Sequence, residues 1–182
     1  DITPSFIEIG NKFNNLTSMS KQVSLQIGNG ETLDFEDETF DGGYSQHVTM
    51  NIKNRKDFFL EAFRVLKKGT FFAFSEHGLG PKGNPIFPLP WADTSEMSFL
   101  LSPESTKSLL KEIGFYDIQI IETSEKYISG YEKMIDIKSE KETPILGIHV
   151  IGGATMKQRS INSMKSIKAV SYTHLTLPTT QV

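Results

Sequence analysis

Helix-type and strand-type hydrophobic spacing alternate along this chain, cut at most junctions by Gly, Pro or Asn. That alternation fits few architectures besides a sheet with helices laid on its faces. Thr3-Pro4 reads as a helix start, with Phe6, Ile7, Ile9 and Phe13 on one side of a helix ending near Asn15. Val23 to Ile27 alternates as a half-buried strand stopped by Gly28-Asn29-Gly30, and Phe40 to Gln46 is a weaker strand because of Gly42 and Gly43. Phe58, Phe59, Ala62, Phe63, Val65 and Leu66 mark an amphipathic helix ended by Lys67-Lys68-Gly69. The spacing then predicts a strand over 70–75, a helix from Ser102-Pro103 to Gly114, a strand over 115–121, a helix over 124–137, a strand over 145–151 and a helix over 153–168. Between His77 and Met97, breakers surround the only tryptophan, in Pro88-Leu89-Pro90-Trp91. Long loops of this kind inside a compact domain are disproportionately functional.

The expected fold class is therefore α/β, in one domain of ordinary size for 182 residues. Ligands in such sheets lie beyond the C-terminal ends of the strands, which singles out 28–31, 45–50 and 76–91.

Composition removes several functions. Without cysteine there is no disulfide framework, no thiolate metal centre and no thiol nucleophile. A net charge of −3 supplies no basic field for nucleic acid. The longest apolar stretch, 145–154, is broken by Gly147, His149 and Gly152, well short of the roughly 18 to 20 residues of a membrane span. The four histidines lack close ligand spacing, so no metal site is expected. With no signal-peptide pattern, the expected compartment is the cytoplasm. The charge is uneven: residues 1–50 hold eight acids against two bases, six of the acids between Glu31 and Asp41, which reads first as a solvated loop.

Several motifs occur in a fixed order: Asp1-Ile2-Thr3-Pro4, Gly28-Asn29-Gly30, the run from Phe35 to Asp41, Ser45-Gln46-His47, Glu61 to Gly69, and Leu110 with Gly114-Phe115. In this order the chain resembles class I S-adenosylmethionine-dependent methyltransferases over about residues 1–117. It is most similar to small-molecule enzymes such as sarcosine/dimethylglycine N-methyltransferases and quinone-biosynthesis C-methyltransferases. The resemblance implies a Rossmann-like methyltransferase sheet with helices on both faces, S-adenosyl-L-methionine as cofactor, and methyl transfer to a small-molecule amine or ring carbon. Neither a nucleic-acid nor a membrane partner is expected, and the oligomeric state is not legible.

The residues carry the implied roles as follows. Asp1 stands where the family places a carboxylate on the ribose hydroxyls, and Ile2 would cover the adenine. Gly28, Asn29 and Gly30 would let the backbone approach the ring, although a plain turn explains them nearly as well. Ser45 and Gln46 follow the next strand near the reacting methyl, and His47 is the candidate base, with a packing histidine as the other reading. Glu76 and His77 form a second candidate pair at the same rim. His77 and Trp91 are the candidate substrate contacts, with loop anchoring as the alternative for Trp91.

Two departures concern the ends. The family's first strand and glycine-rich loop would precede Asp1, so the expectation is a sheet lacking both and weak cofactor binding by these 182 residues alone. Val170 to Thr180 resembles a translated sequencing adapter, so the methyltransferase part is expected over 1–169 and a non-native tail over 170–182. Nucleotides read across Ala169 test that division. A nicotinamide-dependent oxidoreductase and a noncatalytic methyltransferase-like subunit are the rival readings.

Overall fold

A computed structural model describes residues 1–140, 153–169 and 172–181, so the strand expected over 145–151 lies outside the described residues. Helix α1 spans Pro4–Leu16, strand β1 Gly43–Gln46, helix α2 Arg55–Val65 and strand β2 Phe71–Leu79. Helix α3 (Pro103–Ile113), strands β3 (Phe115–Tyr116) and β4 (Ile121–Glu122), helix α4 (Ser124–Glu140), helix α5 (Met156–Lys168) and strand β5 (Tyr172–Gln181) follow. The sheet order is β1-β2-β5-β3, with β4 also on β5. β1 and β2 are parallel and joined through α2, while β5 runs antiparallel to β2, from Phe71 opposite Thr180 to Leu79 opposite Tyr172. Helices α2 and α3 cover one face, and α4 and α5 pack on β5 from the other.

The alternation of side chains along β2 divides the interior in two. Phe72 and Phe74 point towards Phe58, Phe59, Leu110, Phe115 and Leu177 in a phenylalanine-rich core, with the Phe59 and Phe74 ring centroids 5.2 Å apart. The opposite face holds Leu89, Ile167 and Tyr172, against which Trp91, Tyr127 and Tyr131 pack. β5 serves both cores, Leu177 the first and Tyr172 the second. The segment expected as a tail thus lies within the sheet. Backbone pairing is indifferent to where a sequence comes from: an alternating Thr and Leu run takes a place beside β2 on strand propensity.

Four expectations change. Val23 to Ile27 forms no strand: the Val23 N–H and carbonyl are taken by the Met19 carbonyl and the Asn14 side chain, and a single rung with Asp1 is not a ladder. The strand expected over 70–75 runs on to Leu79, taking His77 out of the loop. The strand expected over 115–121 is split into β3 and β4 at Asp117, whose φ is 48°. The acidic run is fastened rather than merely solvated: Arg64 donates to the carbonyls of Leu33 (2.9 Å) and Phe35 (2.7 Å) and to Asp37 and Glu61 (2.8 Å each). The Glu61 carboxylate, held below the usual carboxylate range chiefly by Arg64, in turn accepts from the Leu33 N–H at 2.7 Å.

Helix α3 ends as its sequence demands. Ser102 caps its start by accepting from the Ser105 N–H at 3.1 Å, and Gly114 ends it at φ 124°. A Cβ on Gly114 would come within 3.0 Å of Phe63. Gly114→Ala is therefore expected to cost about 1–3 kcal/mol, read as a lower urea midpoint.

Candidate active site

The parallel strands β1 and β2 end at the same edge of the sheet, and the chain turns there into His47 and runs on into His77. His47 leaves β1 at φ 53°, with its N–H donating to the Ser75 carbonyl at 2.8 Å. Left-handed backbone is costly for a residue with a side chain, and such positions concentrate at functional sites. The turn brings the His47 imidazole to a cavity of about 570 Å³. His47 stacks on His77 (centroids 5.2 Å, 26° between planes) and His77 stacks on Trp91 (4.2 Å, 13°). Tyr172 stands edge-on to both His77 and Trp91.

Helix α4 forms the outer wall. Tyr127 and Tyr131, four residues apart, present one face of that helix to the cavity, with Lys126 and Gly130 beside them. The Tyr127 hydroxyl lies 3.3 Å from His47 Nε2. Burial pulls the His47 imidazole below its ordinary value, favouring the neutral form that accepts a proton, and pushes the phenols of Tyr127 and Tyr131 up.

The Trp91 loop is held from beneath by α5. Arg159 donates to the Leu89 carbonyl at 2.6 Å and pairs with Asp93, Asn162 donates to the Pro88 carbonyl at 3.0 Å, and Ser166 Oγ accepts from the Ile86 N–H at 2.9 Å. Trp91 Nε1 donates to Ser98 Oγ at 3.0 Å, so the ring both walls the cavity and anchors its loop.

The pair Glu76 and His77 does not share a rim. Successive strand residues point to opposite faces, so His77 faces the cavity whereas Glu76 is buried on the α2 side, 3.2 Å from Arg55 Nη1. Arg55 also donates to the carbonyls of Thr49 (2.7 Å) and Phe99 (2.6 Å), tying the segment after His47 to the end of the long loop.

The cofactor-side candidates fall into two groups, Asp1 to Gly30 by backbone pairing and Ser45-Gln46 at the end of β1. The Asp1 amino group donates to the Gln26 carbonyl at 3.2 Å and the Gly28 N–H donates to the Asp1 carbonyl at 3.0 Å, the pattern of one rung of a parallel ladder. Asp1 and Gly28 are thereby neighbours. The Asp1 carboxylate accepts from the Thr3 N–H (2.8 Å) and stays exposed, as does Ile2. Asn29 Oδ1 accepts from the Glu31 N–H (3.0 Å), which makes the segment a turn. Gly28 faces open space, while a Cβ on Gly30 would meet the Phe58 ring at 2.8 Å, so Gly30 is small for packing. Gly30 and Ser45 line a second cavity of about 240 Å³, and Gln46 is exposed at the strand end.

Residues 1–74 match the family described as a methyltransferase domain. Those residues carry methyltransferase-domain sequence, and the chain as a whole shares the fold of solved methyltransferases. Within this methyltransferase match lie Asp1, Gly28 to Gly30, β1 and His47; His77, Trp91 and Tyr127 lie beyond it. The chain is 31% identical over 145 residues to the biotin biosynthesis bifunctional protein BioHC of Teredinibacter turnerae, with 77% of this chain and 24% of that protein covered. It is 27% identical over 139 residues to erythromycin 3''-O-methyltransferase of Saccharopolyspora erythraea, with 66% and 42% covered. Phosphoethanolamine N-methyltransferase 2 of Haemonchus contortus, solved with phosphomonomethylethanolamine and S-adenosylhomocysteine, superposes with a TM-score of 0.83 at 15% identity, with 100% of this chain and 42% of that one covered. The chain thus spans less than half the length of each of these three proteins.

Among the described residues no three His, Asp or Glu side chains converge to hold a metal ion, and no helix is long and apolar enough to cross a membrane. Sequence reasoning missed Tyr127, Tyr131 and Lys126. The i, i+4 spacing of the two tyrosines was visible, but not the direction in which that face of α4 points.

Proposed function

We propose that this methyltransferase domain transfers a methyl group from S-adenosyl-L-methionine to a small-molecule nucleophile such as an amine or ring carbon. The observation that supports this most is the backbone rung joining Asp1 to the turn at Gly28, because it brings an exposed residue with an acceptor carboxylate next to a glycine turn, an arrangement that suits the hydroxyls and ring of a nucleoside. Asp1 would hold the ribose hydroxyls, Ile2 and the turn from Gly28 through Asn29 to Gly30 would border the adenine, and Ser45 with Gln46 would face the methionine side. Bound S-adenosylmethionine supplies an already activated methyl group, so the chain's own work is positioning, water exclusion and removal of a proton.

His47 performs the last of these. Its neutral imidazole takes the proton leaving the acceptor, and the Tyr127 hydroxyl at Nε2 holds the ring in place. His77 and Trp91 wall the acceptor's side of the cavity.

Calorimetric titration with S-adenosylhomocysteine tests the cofactor assignment. In the protein containing this sequence, Asp1→Ala is expected to weaken binding about 10- to 100-fold through loss of charge-assisted hydrogen bonds. Unchanged affinity would remove Asp1 from the site. Arg159→Ala, which removes the guanidinium bonds to the Leu89 carbonyl and Asp93, is expected to raise the KM for the acceptor about threefold to tenfold at nearly constant kcat, because it loosens the Trp91 loop and not the chemistry.

A further inference from the structure

The larger cavity carries a chemical signature that narrows the acceptor. Its lining is dominated by rings, and three of them, His47, His77 and Trp91, form a ladder of near-parallel planes. One formally charged side chain lines it among the described residues, Lys126, and no carboxylate does. We propose that the cavity binds a planar aromatic acid, its ring against the ring ladder and its anionic group towards Lys126. This rests on the methyltransferase reading for the reaction but not for the binding.

Two observations decide against a cationic acceptor. An aromatic cage for an ammonium group needs ring faces converging from several sides. Here Trp91 has one face covered by His77 at 4.2 Å with only 13° between the planes, and Tyr172 abuts it edge-on, so the rings make a stack and not a box. The charge at the wall is also of the wrong sign, since an ammonium guest would meet Lys126 and no carboxylate in the lining among the described residues. A flat ring, in contrast, matches both the parallel planes and the apolar walls contributed by Met50 and Pro90, and a carboxylate or phosphate on it finds a counter-charge.

The experiment uses Trp91, the sole tryptophan, as its own reporter, because it walls the cavity. Trp91 fluorescence of the whole chain is titrated with 4-hydroxybenzoate, phenol, cyclohexanecarboxylate and choline. Saturable quenching by 4-hydroxybenzoate, weaker binding of phenol and of cyclohexanecarboxylate, and none by choline is the expected result. Lys126 is exposed, so Lys126→Gln should leave the fold intact by circular dichroism; it is expected to weaken 4-hydroxybenzoate about threefold to fivefold and leave phenol unchanged. Choline binding as tightly as 4-hydroxybenzoate, cyclohexanecarboxylate binding as tightly as the aromatic acid, an equal loss for phenol in Lys126→Gln, or no saturable quenching by any of the four would overturn the proposal. These titrations need no cofactor, so their failure is separate from a failure to bind S-adenosylhomocysteine, which would strike the methyltransferase reading instead.

Discussion

Arg55→Ala is expected to lower the unfolding free energy by about 3–5 kcal/mol. Arg55 is 3% exposed and Glu76 0%, so truncation of the guanidinium leaves a buried carboxyl without its partner. It also strips the Phe99 carbonyl of its donor and leaves the Thr49 carbonyl with the Ile52 N–H alone at 3.1 Å, and an acceptor left unpaired costs more than the bond it lost contributed. Equilibrium urea unfolding measures the loss. Replacement of both partners, Arg55→Met with Glu76→Leu, is expected to recover most of it, because no charge then stays buried alone. Recovery by the pair distinguishes electrostatic isolation from a simple packing defect.

The same pair makes stability depend on pH. Burial pushes the Glu76 carboxyl from 4.5 up to about 7, with Arg55 pulling it back only in part. A raised folded-state value means that the folded protein holds this proton more tightly than the unfolded chain does. The stabilisation is whole below about 4.5 and lost as the pH rises through about 7. Glu76→Gln is expected to flatten that slope in thermal unfolding between about pH 4 and about pH 8. An unchanged slope would assign it to other groups.

His47→Ala is expected to lower kcat by about 10²- to 10⁴-fold with a smaller change in KM, the range for loss of a positioned base. Tyr127→Phe removes the hydroxyl 3.3 Å from Nε2 but leaves the base, so its effect is expected to be an order of magnitude or more smaller. The pH profile supplies the second reading. Because burial disfavours the imidazolium, the acid limb of kcat/KM should lie below the 6.5 of an unperturbed histidine, activity rising with pH through that limb and His47→Ala abolishing it. Turnover unchanged by His47→Ala would return the residue to packing against His77.

Much of the frame was legible because its signals are local. Thr3-Pro4, Ser102-Pro103 and Gly114 punctuate helices in ways the backbone must obey, and the apolar stripe Phe58, Phe59, Ala62 and Val65 is buried as its spacing implies, although α2 ends at Val65 and not at the expected Lys67-Lys68-Gly69, because Leu66 is already extended. The strands were less legible. Val23 to Ile27 has the right alternation but, among the described residues, pairs with another extended segment only through the single rung with Asp1, and propensity does not report a partner. The site was legible in part: His47, His77 and Trp91 do meet in one stack, whereas Glu76 was misjudged because adjacency in sequence within a strand means opposite faces.

By itself the sequence determined the α/β alternation, the helix starts at Pro4 and Pro103, the helix end at Gly114 and the order of motifs from Asp1 to Phe115, since each depends on residues close together in the chain. Tertiary structure alone decided that Tyr127 reaches His47 across 80 positions, that Arg64 gathers the acidic run, that α5 fastens the Trp91 loop, and that the segment from Tyr172 to Gln181 lies between β2 and β3. The reason is physical. Those contacts depend on which faces the sheet and helices bury against one another, and that is set only when the whole chain is packed.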